Sequence, residues 1–318
     1  MSHITEAKVE KLEEKAAAAH TIHRKRAVMK DLKKAKKKNK KVARQLRRKC
    51  GEKPQVPKTL ENTREHDPTV LDENDDNEER LEEVNRDMDT DEFCSYFNCE
   101  YEPKVLLTYS TSMPSRKTRR FVKDLTNIIP NSMQFLRNGA AIKKNISKCV
   151  ANGFSDMIII NEDQKKPNGM IVCHLPAGPT AYFRLSSVKT TKELNMKLDE
   201  ITSHRPEVIL NNFSTRLGNG VARMLGALFH YSPEFKGRRA VTFHNQRDFI
   251  FFRHHRYQFD KQGKRAALKE MGPRFTIRLQ SIQKGTFDTK FGEFEWIIAG
   301  RRHENKLPED VSSYNTHS

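Results

Sequence analysis

No stretch of about 18 consecutive apolar residues occurs in this chain, and no leader or lipidation motif is found, so nothing in it reads as a membrane span or anchor. Cysteine is sparse and odd in number: Cys50, Cys94, Cys99, Cys149 and Cys173, with no CxxC pair, which reads as free thiols rather than a disulfide frame. Cys94 and Cys99 are poorly spaced for zinc, and no metal site is expected. Walker, HExxH, GxSxG and DEAD-type motifs are all missing, which leaves no complete catalytic set and no implied cofactor.

What is present is charge, unevenly placed. Over 318 residues the net charge is +18. Residues 1–50 hold 18 basic and 5 acidic residues, whereas 61–100 hold 3 basic and 16 acidic. Residues 101–318 hold 36 basic and 19 acidic, so the globular part is basic in its own right. A pI near 9.7 points first to nucleic acid, with an anionic membrane surface as the competing partner.

These shifts divide the chain. Residues 1–50 form a helical or disordered basic arm, rich in helix formers and too poor in apolar residues to fold alone. Within it, Lys33, Lys34, Lys36, Lys37, Lys38, Lys40 and Lys41, then Arg47, Arg48 and Lys49, read as nuclear import or RNA-binding clusters. Residues 51–100 are a linker and an acidic segment, expected as a solvated spacer over 61–90. Its end, DEFCSYF, brings Phe93, Tyr96 and Phe97 together as an anchor on the neighbouring domain or on a partner. Residues 101–300 are the main domain, and 301–318 a tail that opens on the basic pair Arg301 and Arg302.

The domain reads as α/β in two halves, 101–190 and 206–300, joined by a short helix within 191–205. The first half has strands expected at 103–110, 134–136, 157–160, 171–174 and 180–188, and helices at 115–129 and 140–151. In the second half 240–259 reads as two strands with a turn near 245–248, and 292–298 as a last strand. The halves echo one another. Phe121, Leu125, Ile128 and Ile129 correspond to Val221, Leu225, Leu228 and Phe229 at an offset of 100. GPTAYFRLSSV (178–188) matches GPRFTIRLQSI (272–282) at five of eleven positions without a gap. Two matches in one order argue for an internal duplication.

Residues 207–229, EVILNNFSTRLGNGVARMLGALF, hold the sharpest candidate site. VIL suits a buried strand, and Ser214 or Thr215 a helix cap. Val221, Met224, Leu225, Leu228 and Phe229 then share one helix face. Arg216 and Arg223 fall on the opposite face, with Gly220 and Gly226 also outside the apolar stripe and the backbone near Gly218 and Gly220 open to close approach. Such a face, beside a helix N-terminus, admits a phosphate backbone closely. The rival reading gives the arginines to a partner protein or to the acidic segment 61–92. Gly218-Asn219-Gly220 also imitates a dinucleotide fingerprint, but Arg223 stands at its third glycine and residues 213–217 part it from the strand. Further RNA candidates are Arg116, Lys117, Arg119 and Arg120 at the first-half helix, and His254, His255 and Arg256 in FRHHRY. The histidine pair, with acids such as Asp248, leaves a nuclease or RNA-modifying enzyme as the alternative, although neighbours on a strand point to opposite faces.

GPTAYFRLSSV, EVILNNFSTRLGNGVARML, TFHNQRDFIFFRHHRY and GPRFTIRLQSIQKGTFDTKFGEFEW, in that order, resemble the Brix-domain family of ribosome biogenesis factors over roughly residues 60–300. Residues 215–228 match the family's helix once likened to a sigma-factor motif. The resemblance implies two halves of anticodon-binding-domain-like fold and binding of pre-rRNA and rRNA on large-subunit precursors. It also implies support of 5.8S and large-subunit rRNA maturation without catalysis, companion assembly factors, and a place in the nucleus and nucleolus.

Overall fold

The chain divides into two units, Met1–Asp67 and Pro68–Ser318. The computed structural model describes residues 2–18, 21–49, 57–59, 62–63, 70, 78–137, 140–194, 201–260, 262–263, 265–288 and 292–298. The tail at 301–318, with Arg301 and Arg302, lies outside the described residues, as does most of 61–77.

In the first unit α1 (Ser2–Ala17) and α2 (Ile22–Lys49) pair as a helical hairpin. Helix-forming residues fill both; among the described residues Ala16 and Leu32 are the buried apolar side chains of this unit, and Lys36 meets Glu13 at 2.6 Å. Lys33, Lys34, Lys36, Lys37, Lys38, Lys40 and Lys41 stand exposed on α2. Arg47, Arg48 and Lys49 continue its backbone, but their side chains lie outside the described residues.

The second unit begins with α3 (Glu78–Thr90) and the single turn α4 (Cys94–Phe97), then alternates strands and helices: β1 (Val105–Tyr109), α5 (Arg116–Thr126), β2 (Ser132–Gln134), α6 (Ile142–Ala151), β3 (Asp156–Asp163), β4 (Lys166–His174) and β5 (Thr180–Lys189). A 3-10 turn at Thr191–Leu194 stands where the joining helix was expected, and 195–200 lie outside the described residues. There follow β6 (Glu207–Asn211), α7 (Arg216–Ala227), β7 (Arg239–Gln246), β8 (Phe249–Phe259), β9 (Ala266–Glu270), β10 (Arg274–Gln283) and β11 (Phe294–Ile297).

All eleven strands join one sheet, ordered β2-β1-β3-β4-β5-β10-β8-β7-β6, with β9 beside β8 and β11 beside β10. The two halves repeat one order of pairings. β1 runs parallel to β3 as β6 does to β7, and the antiparallel ladders β3–β4–β5 are matched by β7–β8–β10. The halves meet where β5 pairs antiparallel with β10, so the two echoed segments lie against each other. Gly178 and Gly272 open them at the same place, both with left-handed φ, +98° and +76°.

One face of the sheet carries a single core spanning both halves. Phe121, Val122 and Leu125 of α5, Val221, Met224 and Leu225 of α7, and Phe93 and Tyr96 near α4 pack there against Leu107, Phe183, Ile277 and Phe252. On the other face α6 covers only the first half, with Ile142, Ile146 and Cys149 against Leu106, Met157, Ile159, Ile171 and Cys173. β1 is therefore buried on both faces, which accounts for its unbroken apolar run. Two expectations fail here. β6 is an outer strand with Ile209 and Leu210 partly open to water, not a buried one. Gly226 is buried against Leu210, since α7 lies close on its own strand. β9 gave no alternating apolar signal because its residues 266–269 are exposed.

Candidate nucleic-acid interface

The cap of α7 forms as its sequence suggests. Thr215 Oγ1 accepts the backbone N–H of Gly218 at 2.9 Å. A Cβ on Gly218 would itself sit 2.9 Å from that oxygen, so this glycine serves the cap, while Gly220 faces open space. The apolar stripe is buried, and Arg216 and Arg223 point the other way.

That outer face is already occupied. Arg216 meets Glu83 at 3.2 Å and lies closer still to Asp87, both on α3. Arg223 grips Asp91 with two nitrogens, Nη2 donating to Oδ1 at 2.8 Å, and Nη2 also donates to the Met88 carbonyl at 2.8 Å. The Phe97 ring lies 4.0 Å from its guanidinium carbon. Planar guanidinium groups favour this combination of forked carboxylate binding and ring stacking. The acidic stretch is thus no solvated spacer over 78–90: it is a helix bonded to α7. Phosphate contact by Arg223 would require Asp91 to leave.

The aromatic residues of DEFCSYF hold this segment in place. Phe93 and Tyr96 are buried, and Phe97 stacks from the surface. Tyr96 donates its hydroxyl to Phe229 O at 2.9 Å and reaches Gly226 O at 3.2 Å, satisfying carbonyls at the end of α7. Burial pushes this phenol up to about 12.

α5 is the counterpart of α7, and among the described residues no acidic helix covers it. Ser115 caps it, accepting from Thr118 N at 3.3 Å, while the Glu162 carboxylate accepts Ser115 N at 2.9 Å. Lys117 is tied to Glu193 at 3.0 Å. Arg116 and Arg119 are exposed and Arg120 half-buried, and among the described residues no carboxylate forms an ion pair with them. The α5 and α7 clusters do not merge. Followed through the ladders, β1 and β6 run in opposite directions, so the two helices start at opposite ends of the sheet.

His254 is not a surface group. It is fully buried on the core face, while His255 and Arg256 are half-buried. Arg239 Nε donates to His254 Nε2 at 3.3 Å, which assigns the ring proton to Nδ1, facing Gly272 O at 2.9 Å. Burial lowers this histidine to about 4, and burial also lowers the Arg239 guanidinium, which donates to the carbonyls of Thr202, His204 and Asn127. His255 points to the other face, beside Glu270. Asp248 sits in the turn before β8, six residues and roughly 20 Å along the strand from His254. These groups cannot act on one substrate. Among the described residues no cluster of three His, Cys, Asp or Glu could hold a metal, and no helix is long and apolar enough to cross a membrane.

The rival reading, which gave Arg216 and Arg223 to the acidic segment 61–92, matches the contacts; what the sequence did not single out is Glu83, Asp87 and Asp91 within that run.

Comparison with known proteins agrees with the motifs. The family model described as the Brix domain matches residues 111–281. The chain is 52% identical over 277 residues to "Probable ribosome production factor 1" of Drosophila melanogaster, covering 87% of this chain and 70% of that protein. It is 51% identical over 263 residues to ribosome production factor 1 of Mus musculus, covering 83% and 73%. Among solved structures, a probable ribosomal biogenesis protein from Aeropyrum pernix K1 aligns over 62% of this chain and 99% of its own, at 14% identity and a TM-score of 0.42.

Proposed function

The chain belongs to the Brix-domain family, and from that premise we propose that it is a non-catalytic, rRNA-binding factor of ribosome biogenesis, acting on the large subunit. Its partners are the pre-rRNA and rRNA of the large-subunit precursor and other assembly factors. Its reactions to support are maturation of 5.8S and large-subunit rRNA, and its place is the nucleus and nucleolus. The lysines of α2 fit an import signal or an auxiliary RNA contact. The repeated order of pairings supports reading the second unit as an internal duplication of two anticodon-binding-domain-like halves.

The observation that carries RNA binding is the outer face of α5. Arg116 and Arg119 project into water without carboxylate partners among the described residues, whereas Arg216 and Arg223 on α7 are neutralised. Unpaired guanidinium groups on a helix surface suit phosphates, which position RNA without reading its sequence. Titrating the full chain against a pre-rRNA fragment at several salt concentrations tests this. Changing Arg116, Arg119 and Arg120 to Ala should weaken binding and make its salt dependence shallower, by about 0.7 per lost contact on single strands. An unchanged slope in a folded variant removes α5 from the RNA site.

The enzymatic alternative draws no support from the geometry, since His254 is enclosed and His255 faces away from it. Cleavage of pre-rRNA by the pure protein with divalent metal, abolished by His255→Ala, would reinstate it.

A further inference from the structure

The sheet of the second unit is half dressed. α4, α5 and α7 line one face, but α6 lines the other only over β1, β3 and β4. From β5 across β10, β8 and β7, the second face carries no helix among the described residues. Alternation shows what it presents. Phe183 and Leu185 on β5, Ile277 and Leu279 on β10, and Ile250 and Phe252 on β8 enter the core. Their neighbours Arg184, Arg278, Phe249 and Phe251 therefore point to the open side.

These side chains form two rows. Arg184, Arg278 and Phe249 are in register across β5, β10 and β8. The next row brings Thr276 beside Phe251, with His244 beyond. Phe249 is 40% exposed and Phe251 half-buried, about 7 Å apart as i and i+2 of one strand. Like charges directly opposite on neighbouring strands repel, yet among the described residues no carboxylate is bonded to either Arg184 or Arg278. Arg278 leans over the Phe249 ring at 5.2 Å, and its Nε is buried without a hydrogen-bond partner. Two opposed cations and an unspent donor call for an anion between the strands.

We propose that this face is a second RNA site, specific for unpaired nucleotides: a phosphate seats on Arg184 and Arg278, and bases stack on Phe249 and Phe251. The inference rests on the RNA-binding reading above and names the class of RNA. A sheet surface with exposed rings offers stacking platforms that any base can use, while the bases of a duplex are closed to it. An acidic protein segment would satisfy the arginines but leave the rings without planar partners.

The test uses the full chain and one RNA sequence presented as a single strand and as a duplex. Phe249→Leu and Phe251→Leu keep apolar bulk and remove the ring, and Arg184→Gln with Arg278→Gln removes the anion seat. Circular dichroism confirms each fold. The ring variants should lose roughly 5- to 100-fold in single-strand affinity and leave duplex binding little changed. Full single-strand affinity in the ring variants, while the α5 variant still loses binding, overturns this site and spares the general reading. Wild-type protein that binds neither RNA overturns both. Displacement of the single strand by a polyglutamate peptide that binds the ring variants as tightly as wild type assigns the face to acidic protein and also overturns the proposal.

Discussion

Arg223 on α7 and Asp91, one residue past the end of α3, form a forked ion pair largely withdrawn from water, their side chains 15% and 20% exposed. The acidic segment thereby closes the most basic helix face of the second half. Among the described residues nothing comparable closes its counterpart in the first half, α5.

The two arginines of α7 should differ in energetic weight. Arg216 pairs with Glu83 at the surface, both side chains 62% exposed, where coupling is typically under about 1 kcal/mol. Arg223 and Asp91 share charge-assisted bonds in a drier setting, where about 2 kcal/mol is expected. Double-mutant cycles by urea unfolding, Arg223→Ala with Asp91→Ala against Arg216→Ala with Glu83→Ala, measure both. Equal couplings would refute the greater weight given to the Arg223–Asp91 pair.

Freeing Arg216 should add an RNA contact. Glu83→Gln with Asp87→Asn leaves the Arg223–Asp91 pair in place and unpairs the exposed arginine. RNA affinity should rise, and its salt dependence should steepen by about 0.7 on a single strand. No change in slope would assign the α7 face to holding the acidic segment alone.

Leu225 is fully buried between α7 and the sheet. Leu225→Ala should cost about 2–5 kcal/mol through the cavity it leaves. Leu225→Asp should unfold the unit, because an unpaired buried charge costs several kcal/mol. A thermal melt of the Asp variant that matches wild type would refute the two-face assignment of α7.

The enclosed His254 makes stability depend on pH. Its folded pKa, about 4, lies below the ordinary 6.5, so the unfolded chain takes up a proton that the folded one refuses. The associated stability is fully present above pH 6.5 and is lost as pH falls toward 4, by about 3 kcal/mol in all. His254→Gln can accept from Arg239 and donate to Gly272 but does not titrate. Urea unfolding between pH 7.5 and 4.5 should show a shallower pH dependence in that variant than in wild type. Parallel curves would place the proton elsewhere.

Much of this protein was legible in its residues. The 3.6-residue period put Leu225 inside and Arg223 outside, and Thr215 marked the start of α7, because these are local properties of one helix. The turn before β8 was readable for the same reason, and so was the opposite facing of His254 and His255. Motif order sufficed to indicate the family. What the arginines bind could not be read locally. Glu83, Asp87 and Asp91 lie 129 to 133 positions from their partners, and an acidic run attracts any basic face equally. Strand order was out of reach as well. Only the long-range β5–β10 ladder sets Arg184 against Arg278, leaves β6 at the edge, and confines α6 to one half, so that among the described residues no helix covers that face of the other half. Periodicity tells which side of a strand is apolar, but which strand comes next, and what covers it, is decided by packing across the whole chain.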